Sequence, residues 1–282
     1  MGEAKQKRRR HAALLDSAAG CIYCACKSAA VEVDHMPPRL MFRMTQRPKG
    51  LEFPSCTACN RQTSRLDVVA AFMTRTYPGI GETSPGVPDE RDSAEWDRVM
   101  AEVFRVAPDV MKEVYIPHRH QRPLMKIYDV SDPEEKKALF RANGPVLSAH
   151  MQAFSAKVGF ALHYEFKGEP VPTEGLVQVR WFTSQEIENG LVPKSLYETI
   201  GVPRFLKQGK VTSDGTFLYG GGVYQNNKEI DLYYARFRDS FEVAAFVVKD
   251  KKHLPFPEGA LATFRPGDLQ SEPVDRIDDS IQ

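Results

Sequence analysis

Cysteines and one short loop carry the chemistry that the sequence offers. Cys21 and Cys24 form one C-x-x-C pair, Cys56 and Cys59 a second, and Cys26 stands just past the first. A C-x-x-C turn presents two sulfurs at about the angle that tetrahedral zinc requires, so two such pairs close a four-thiolate structural site with no open position. In an intracellular chain this spacing points to a metal before it points to disulfides. Cys26 is read as a small thiol outside the ligand set. A closed thiolate site hydrolyses nothing by itself, so catalysis must come from what the zinc holds in place. Between the pairs lies Val31-Glu32-Val33-Asp34-His35-Met36-Pro37-Pro38, and directly after the second comes Asn60-Arg61.

The segments VDHMPP and CTACNR resemble those of the HNH endonuclease family, in its branch with two zinc-binding C-x-x-C knuckles. The resemblance covers residues 18–77. It implies a ββα-metal finger in which Asp34 and His35 end the first strand and Asn60 opens the helix. The implied activity is metal-dependent hydrolysis of phosphodiester bonds, in DNA rather than RNA. His35, an imidazole with an ordinary pKa of ~6.5, takes the general-base role. Asp34 and Asn60 offer hard oxygen ligands to a catalytic Mg²⁺ or Mn²⁺, which would stabilise the charge developing on the phosphate. Leu51 stands where many members carry an Asn, and Thr63 or Ser64 where Lys or His is common. Asp67 is an additional carboxylate on the helix, read as a surface or helix-stabilising residue.

A polyanionic partner agrees with the charge distribution. Residues 1–75 hold 13 Lys plus Arg against 6 Asp plus Glu, whereas the remainder holds 25 against 31. A local positive field favours nucleic acid, because neutralising phosphates releases counterions. Arg61 and Arg65, four apart near a helix start, are expected to clamp the phosphate backbone. Arg39, Arg43, Arg47 and Lys49 would extend that track. Two other readings compete. In one, the zinc-stapled module binds nucleic acid without cutting it and the C-terminal domain carries the main function. In the other, the module is an interaction finger and the Cys-free region recruits a protein partner.

The elements that must position these residues follow from periodicity and punctuation. Residues 1–17 read as a basic arm running into a short helix, and 18–77 as the nuclease module, with a strand ending at His35 and a helix from Thr57 to about Tyr77. Residues 78–143 read as linker and connecting helices, Pro- and Gly-rich from Pro78 to Asp92 and helical over 93–114. An extended stretch from Ile116 to Pro123 includes His118 and His120, taken as surface residues. A domain over 144–257 opens with a helix after Gly144-Pro145, on which Leu147, Met151, Phe154, Val158 and Leu162 make one apolar stripe. Strand-like runs follow at 176–182, 216–224, 229–237 and 241–248, in an antiparallel meander. The Gly220-Gly221-Gly222 run reads as a bulge or tight bend, and 258–282 as a loose polar tail. The fold class expected is α+β, with one helix face packed on a sheet.

Composition sets the outer bounds. Apolar residues make up 42% and charged residues 27% of 282, a balance that supports a real core. No run approaches the ~20 apolar residues of a membrane helix, so no membrane partner is expected and the expected compartment is the cytoplasm.

Overall fold

The computed structural model describes residues 3–42, 47–76, 90–115, 141–224 and 227–270. Most of the predicted linker, the 116–123 segment with His118 and His120, Arg43, and the chain from 271 onward lie outside the described residues. Helices and antiparallel sheets make up the fold, and among the described residues no helix is long and apolar enough to cross a membrane.

The chain opens with helix α1, Glu3–Ser17, so nearly all of the expected arm is helical. Its Ala, Lys, Arg, Gln and Leu content favours a helix, and the guanidinium of Arg10 docks it by donating to both carboxylate oxygens of Glu52 at 3.1 and 2.8 Å. A 3₁₀ turn at Ile22–Cys24 is followed by strand β1, Glu32–His35, and strand β2, Glu52–Ser55. The two strands pair antiparallel, with His35 opposite Glu52 and Asp34 opposite Phe53. Helix α2, Thr57–Thr76, starts directly after β2. The loop between β1 and β2 is tied by Arg47, whose guanidinium donates to the carbonyls of Met36, Pro37, Pro48 and Gly50 at 3.0 to 3.1 Å. Those donors are spent on loop carbonyls, which removes Arg47 from the expected phosphate track.

Helix α3, Glu90–Val106, and helix α4, Pro108–Val114, break at Ala107, where Pro108 supplies the favoured first position of a new helix. Glu113 on α4 then caps helix α5, Pro145–Lys167: its carboxylate accepts from the N–H groups of Val146 and Leu147 at 2.9 and 2.7 Å. This anion at a helix N-terminus satisfies two otherwise orphaned donors.

Helix α5 is the axis of the molecule. Every residue from Leu147 to His163 except Gln152 is buried, on all faces rather than along one stripe. A helix buried all round must be covered on every side, and here α2 and the cysteine-pair region cover one side while the large sheet covers another. Gly159 permits that close contact, because a Cβ there would lie 2.8 Å from Ala245 Cβ and from Val177 Cγ1. Phe154 is fully buried against the rings of Phe237 and Phe241 at 5.4 and 6.2 Å; truncating a side chain so placed costs about 3–5 kcal/mol.

The sheet follows α5 in the chain. Strand β3 is Leu176–Thr183, and helices α6, Ser184–Glu188, and α7, Lys194–Ile200, come next. A small hairpin pairs β4, Lys207–Gln208, with β5, Val211–Thr212. Strands β6, Phe217–Val223, β7, Ile230–Phe237, β8, Phe241–Val248, and β9, Ala262–Phe264, complete a five-stranded antiparallel sheet in the order β6-β7-β8-β3-β9. The expected meander is present. The sheet is buried on both faces, however: α5 covers one, and Leu196 and Ile200 of α7 pack with Leu232, Tyr234 and Phe246 on the other. All eight residues of β8 are buried accordingly, as its continuous apolar run requires.

Two further expectations change. The glycine run is neither bulge nor bend but regular strand, with Gly220, Gly221 and Gly222 opposite Tyr234, Tyr233 and Leu232. At Gly221 a Cβ would lie 2.5 Å from the Tyr233 ring, so the missing side chain makes room for that tyrosine. The expected tail is anchored in part: β9 extends the sheet, Leu269 is buried, and the Gly267 N–H donates to the Tyr23 carbonyl at 2.7 Å. One apolar cluster runs from Cys21 to Leu269, so the cysteine-pair region and one face of the sheet share a core.

Candidate functional site

Cys21, Cys24, Cys56 and Cys59 converge. Their sulfurs all lie within 4.8 Å of one another and all four residues are buried. Zinc–sulfur bonds of ~2.3 Å in tetrahedral geometry place sulfurs about 3.8 Å apart, so a small contraction suffices and the set could hold a metal ion such as zinc. The surroundings suit thiolates. The Cys59 N–H points to Cys56 Sγ at 3.4 Å, and the Ser55 hydroxyl lies 4.0 Å from Cys21 Sγ. Hydrogen bonding from Cys59 pulls the Cys21 thiol down to about 5, against its burial, while Cys59 is pushed up in turn. Cys26 stands apart from the four, half-buried at a left-handed φ of 60°.

Beside this cluster an open cleft of about 550 Å³ lies between α1, β1 and α2, and Asp34, His35 and Asn60 all line it. Lys7, His11 and Arg39 line it as well, making one edge basic. The three residues singled out from the sequence thus share one cleft, but all three are engaged within the protein. Asp34 is buried and accepts from the Tyr23 hydroxyl at 2.5 Å and from Lys157 Nζ at 3.0 Å. The Asn60 side-chain amide donates to the Glu32 carboxylate.

Lys157, from the middle of α5, is fully buried between two carboxylates, 3.0 Å from Asp34 and 2.8 Å from Asp67. Burial opposes its charge, but Asp34 and Asp67 outweigh that and hold the ammonium above the ordinary lysine range. Burial likewise raises the Asp34 carboxyl, yet the Lys157 charge and the Tyr23 hydrogen bond leave it below its ordinary value. Asp67 takes the remainder: burial pushes it to about 7 despite Lys157. An ammonium therefore sits where the family resemblance implies a divalent cation next to Asp34. Asp67, expected on the surface, is the second wall of this seat.

His35 faces the other way. Arg39 lies 2.5 Å from His35 Nε2; a guanidinium only donates, so Nε2 accepts and the ring proton resides on Nδ1. Burial first, then the Arg39 and Arg47 charges, lower its pKa to about 3, and the imidazole is neutral. His35 Nε2 is also 3.6 Å from Glu52 Oε1, and His11 Nε2 from α1 is 3.6 Å from Glu52 Oε2. The ligand atoms of His11, His35 and Glu52 all lie within 4.8 Å. Nothing in the sequence signals this trio, because its members lie on three elements at no motif spacing.

Of the remaining residues, Arg61 is exposed at the start of α2, while Arg65 is ion-paired with Asp109 of α4. Arg65 is thus tied to another helix, in a surface pair whose Arg65 side chain stays 38% exposed. Leu51, where the resembled pattern has an asparagine, takes a left-handed φ of 48° and is buried. No protein-family profile, curated protein or solved structure matches the chain.

Proposed function

We propose that the chain is a metal-dependent hydrolase of phosphodiester bonds in nucleic acid, DNA before RNA, of the HNH type. One observation carries the reading: Asp34, His35 and Asn60, up to 26 positions apart, open onto one cleft with a basic edge, beside four clustered thiols. The order β1-β2-α2 between and after the two cysteine pairs is the order that the ββα finger requires. His35 is the candidate base: neutral, with Nε2 as the acceptor. Arg39 and Lys7 at the cleft edge, with Arg61 nearby in sequence to Asn60, are suited to phosphate oxygens.

Plasmid incubated with purified protein should be cut when Mg²⁺ or Mn²⁺ is added, and the His35→Ala variant should not cut while retaining its zinc and its fold. Cutting by that variant would remove the proposed role.

A second reading, a zinc-stapled module that binds nucleic acid without cleaving it, is favoured by the engagement of Asp34 and Asn60. It predicts binding that weakens steeply with salt, and no nicking with any divalent ion.

A further inference from the structure

We infer that His11, His35 and Glu52 form a transition-metal site distinct from the four-cysteine cluster. Each imidazole faces its own carboxylate oxygen: His11 Nε2 to Glu52 Oε2 and His35 Nε2 to Glu52 Oε1, both at 3.6 Å. Bonds of ~2.1 Å at near-tetrahedral angles separate ligand atoms by about 3.4 Å, so the two 3.6 Å spacings need only a slight closure, within a trio whose ligand atoms all lie within 4.8 Å of one another. His11 Nε2 is buried and makes no hydrogen bond. A shared cation would satisfy it. Asp34, the oxygen donor that the sequence suggests, is held by Lys157 and Tyr23. The ligands come from three elements already locked together: α1, β1 and β2.

Two arginines occupy part of this site and define how an ion enters. Arg10 uses two of the roughly four lone-pair positions on Glu52, which leaves acceptor capacity on each oxygen. Arg39 occupies the His35 Nε2 lone pair directly and must move aside. Its side chain is exposed and lines the cleft, so it can swing toward solvent or toward a bound phosphate. Two imidazoles and one carboxylate favour a first-row ion such as Mn²⁺, Co²⁺ or Zn²⁺ over Mg²⁺. The open side faces the cleft, leaving positions for water or a phosphate oxygen. The site stands on geometry alone; its use in hydrolysis rests on the proposed function, where it would assign His35 to the ion rather than to the proton.

Co²⁺ is the probe. Untagged full-length protein carrying zinc at its cysteines should take up one Co²⁺ with the weak visible bands of nitrogen and oxygen coordination and no thiolate charge-transfer band. His11→Gln and Glu52→Gln should each weaken uptake by about 100-fold or more, with zinc content unchanged. Arg39→Gln should bind Co²⁺ several-fold more tightly, a change of opposite sign that general loosening of the fold would not produce. Failure to bind Co²⁺, a thiolate band, uptake that His11→Gln leaves intact, or weaker uptake by Arg39→Gln would each overturn the site. Co²⁺ binding without plasmid cutting keeps the site and defeats the hydrolase reading. Mg²⁺-dependent cutting by a chain that binds no Co²⁺ does the reverse.

Discussion

Lys157 reaches from the centre of α5 to Asp34, 123 positions earlier in the chain, and its ammonium lies 3.0 Å from that carboxylate with neither group substantially exposed. The pair ties the middle of the sheet domain to the strand that carries His35.

Removing the cation should therefore be severe. Lys157→Met leaves Asp34 and Asp67 facing each other without compensation, and breaking a buried pair in this way costs about 3–5 kcal/mol. Urea denaturation should show that loss, and Lys157→Met with Asp34→Asn should recover part of it. A single variant within ~1 kcal/mol of the parent would show the pair to be solvated.

Zinc should be a folding ligand. Stripping the metal with a strong chelator, or Cys56→Ser, should lower the melting temperature markedly, because a thiolate site contributes its binding energy to folding. Cys26→Ser should leave the metal content at the parent's value. Elemental analysis beside circular dichroism reads both, and loss of zinc on changing Cys26 would require a different ligand set.

Acid stability should depend on His163. The residue is 1% exposed, with burial lowering its pKa from 6.5 to about 4. Between those values the unfolded chain takes up a proton that the folded chain refuses, so stability present above pH ~6.5 declines as pH falls toward 4. The contribution is on the order of 3 kcal/mol at ~1.4 kcal/mol per unit. His163→Gln should flatten the pH dependence of the urea midpoint across that window, and two superimposable profiles would rule out this origin.

Gly221→Ala should destabilise the fold by about 1–3 kcal/mol, the usual penalty for overpacking, since the new methyl would meet the Tyr233 ring at 2.5 Å. Tyr233→Leu in the same chain should relieve much of the loss. Equal thermal midpoints for Gly221→Ala and the parent would mean that the ring moves aside freely.

The sequence was most informative where local rules decide. Four thiols in two C-x-x-C pairs announced their own convergence, alternation marked β1, and strand-like runs marked β3, β6, β7 and β8. Gly144-Pro145 marked the start of α5, although the cap itself comes from Glu113, which no local signal connects to it. Tertiary placement was hidden. The apolar stripe on α5 gave one face, but small residues such as Ala149, Ala153, Ala156 and Gly159 let the other faces be buried too. Lys157 reads as an ordinary solvated lysine until Asp34 and Asp67 are brought to it. His11 was absorbed into a basic arm, because nothing nearby shows that α1 folds back onto Glu52.

The Gly267 N–H bond to the Tyr23 carbonyl joins nearly opposite ends of the chain. On the ribosome, the four thiols emerge long before Lys157 or Gly267 has been made. Metal capture can thus begin on a nascent fragment, while Asp34 waits for its counter-ion and Tyr23 for its final brace. A chain ended before α5 would keep the four thiols but expose an apolar flank, and such a fragment should be a target for chaperones or proteases.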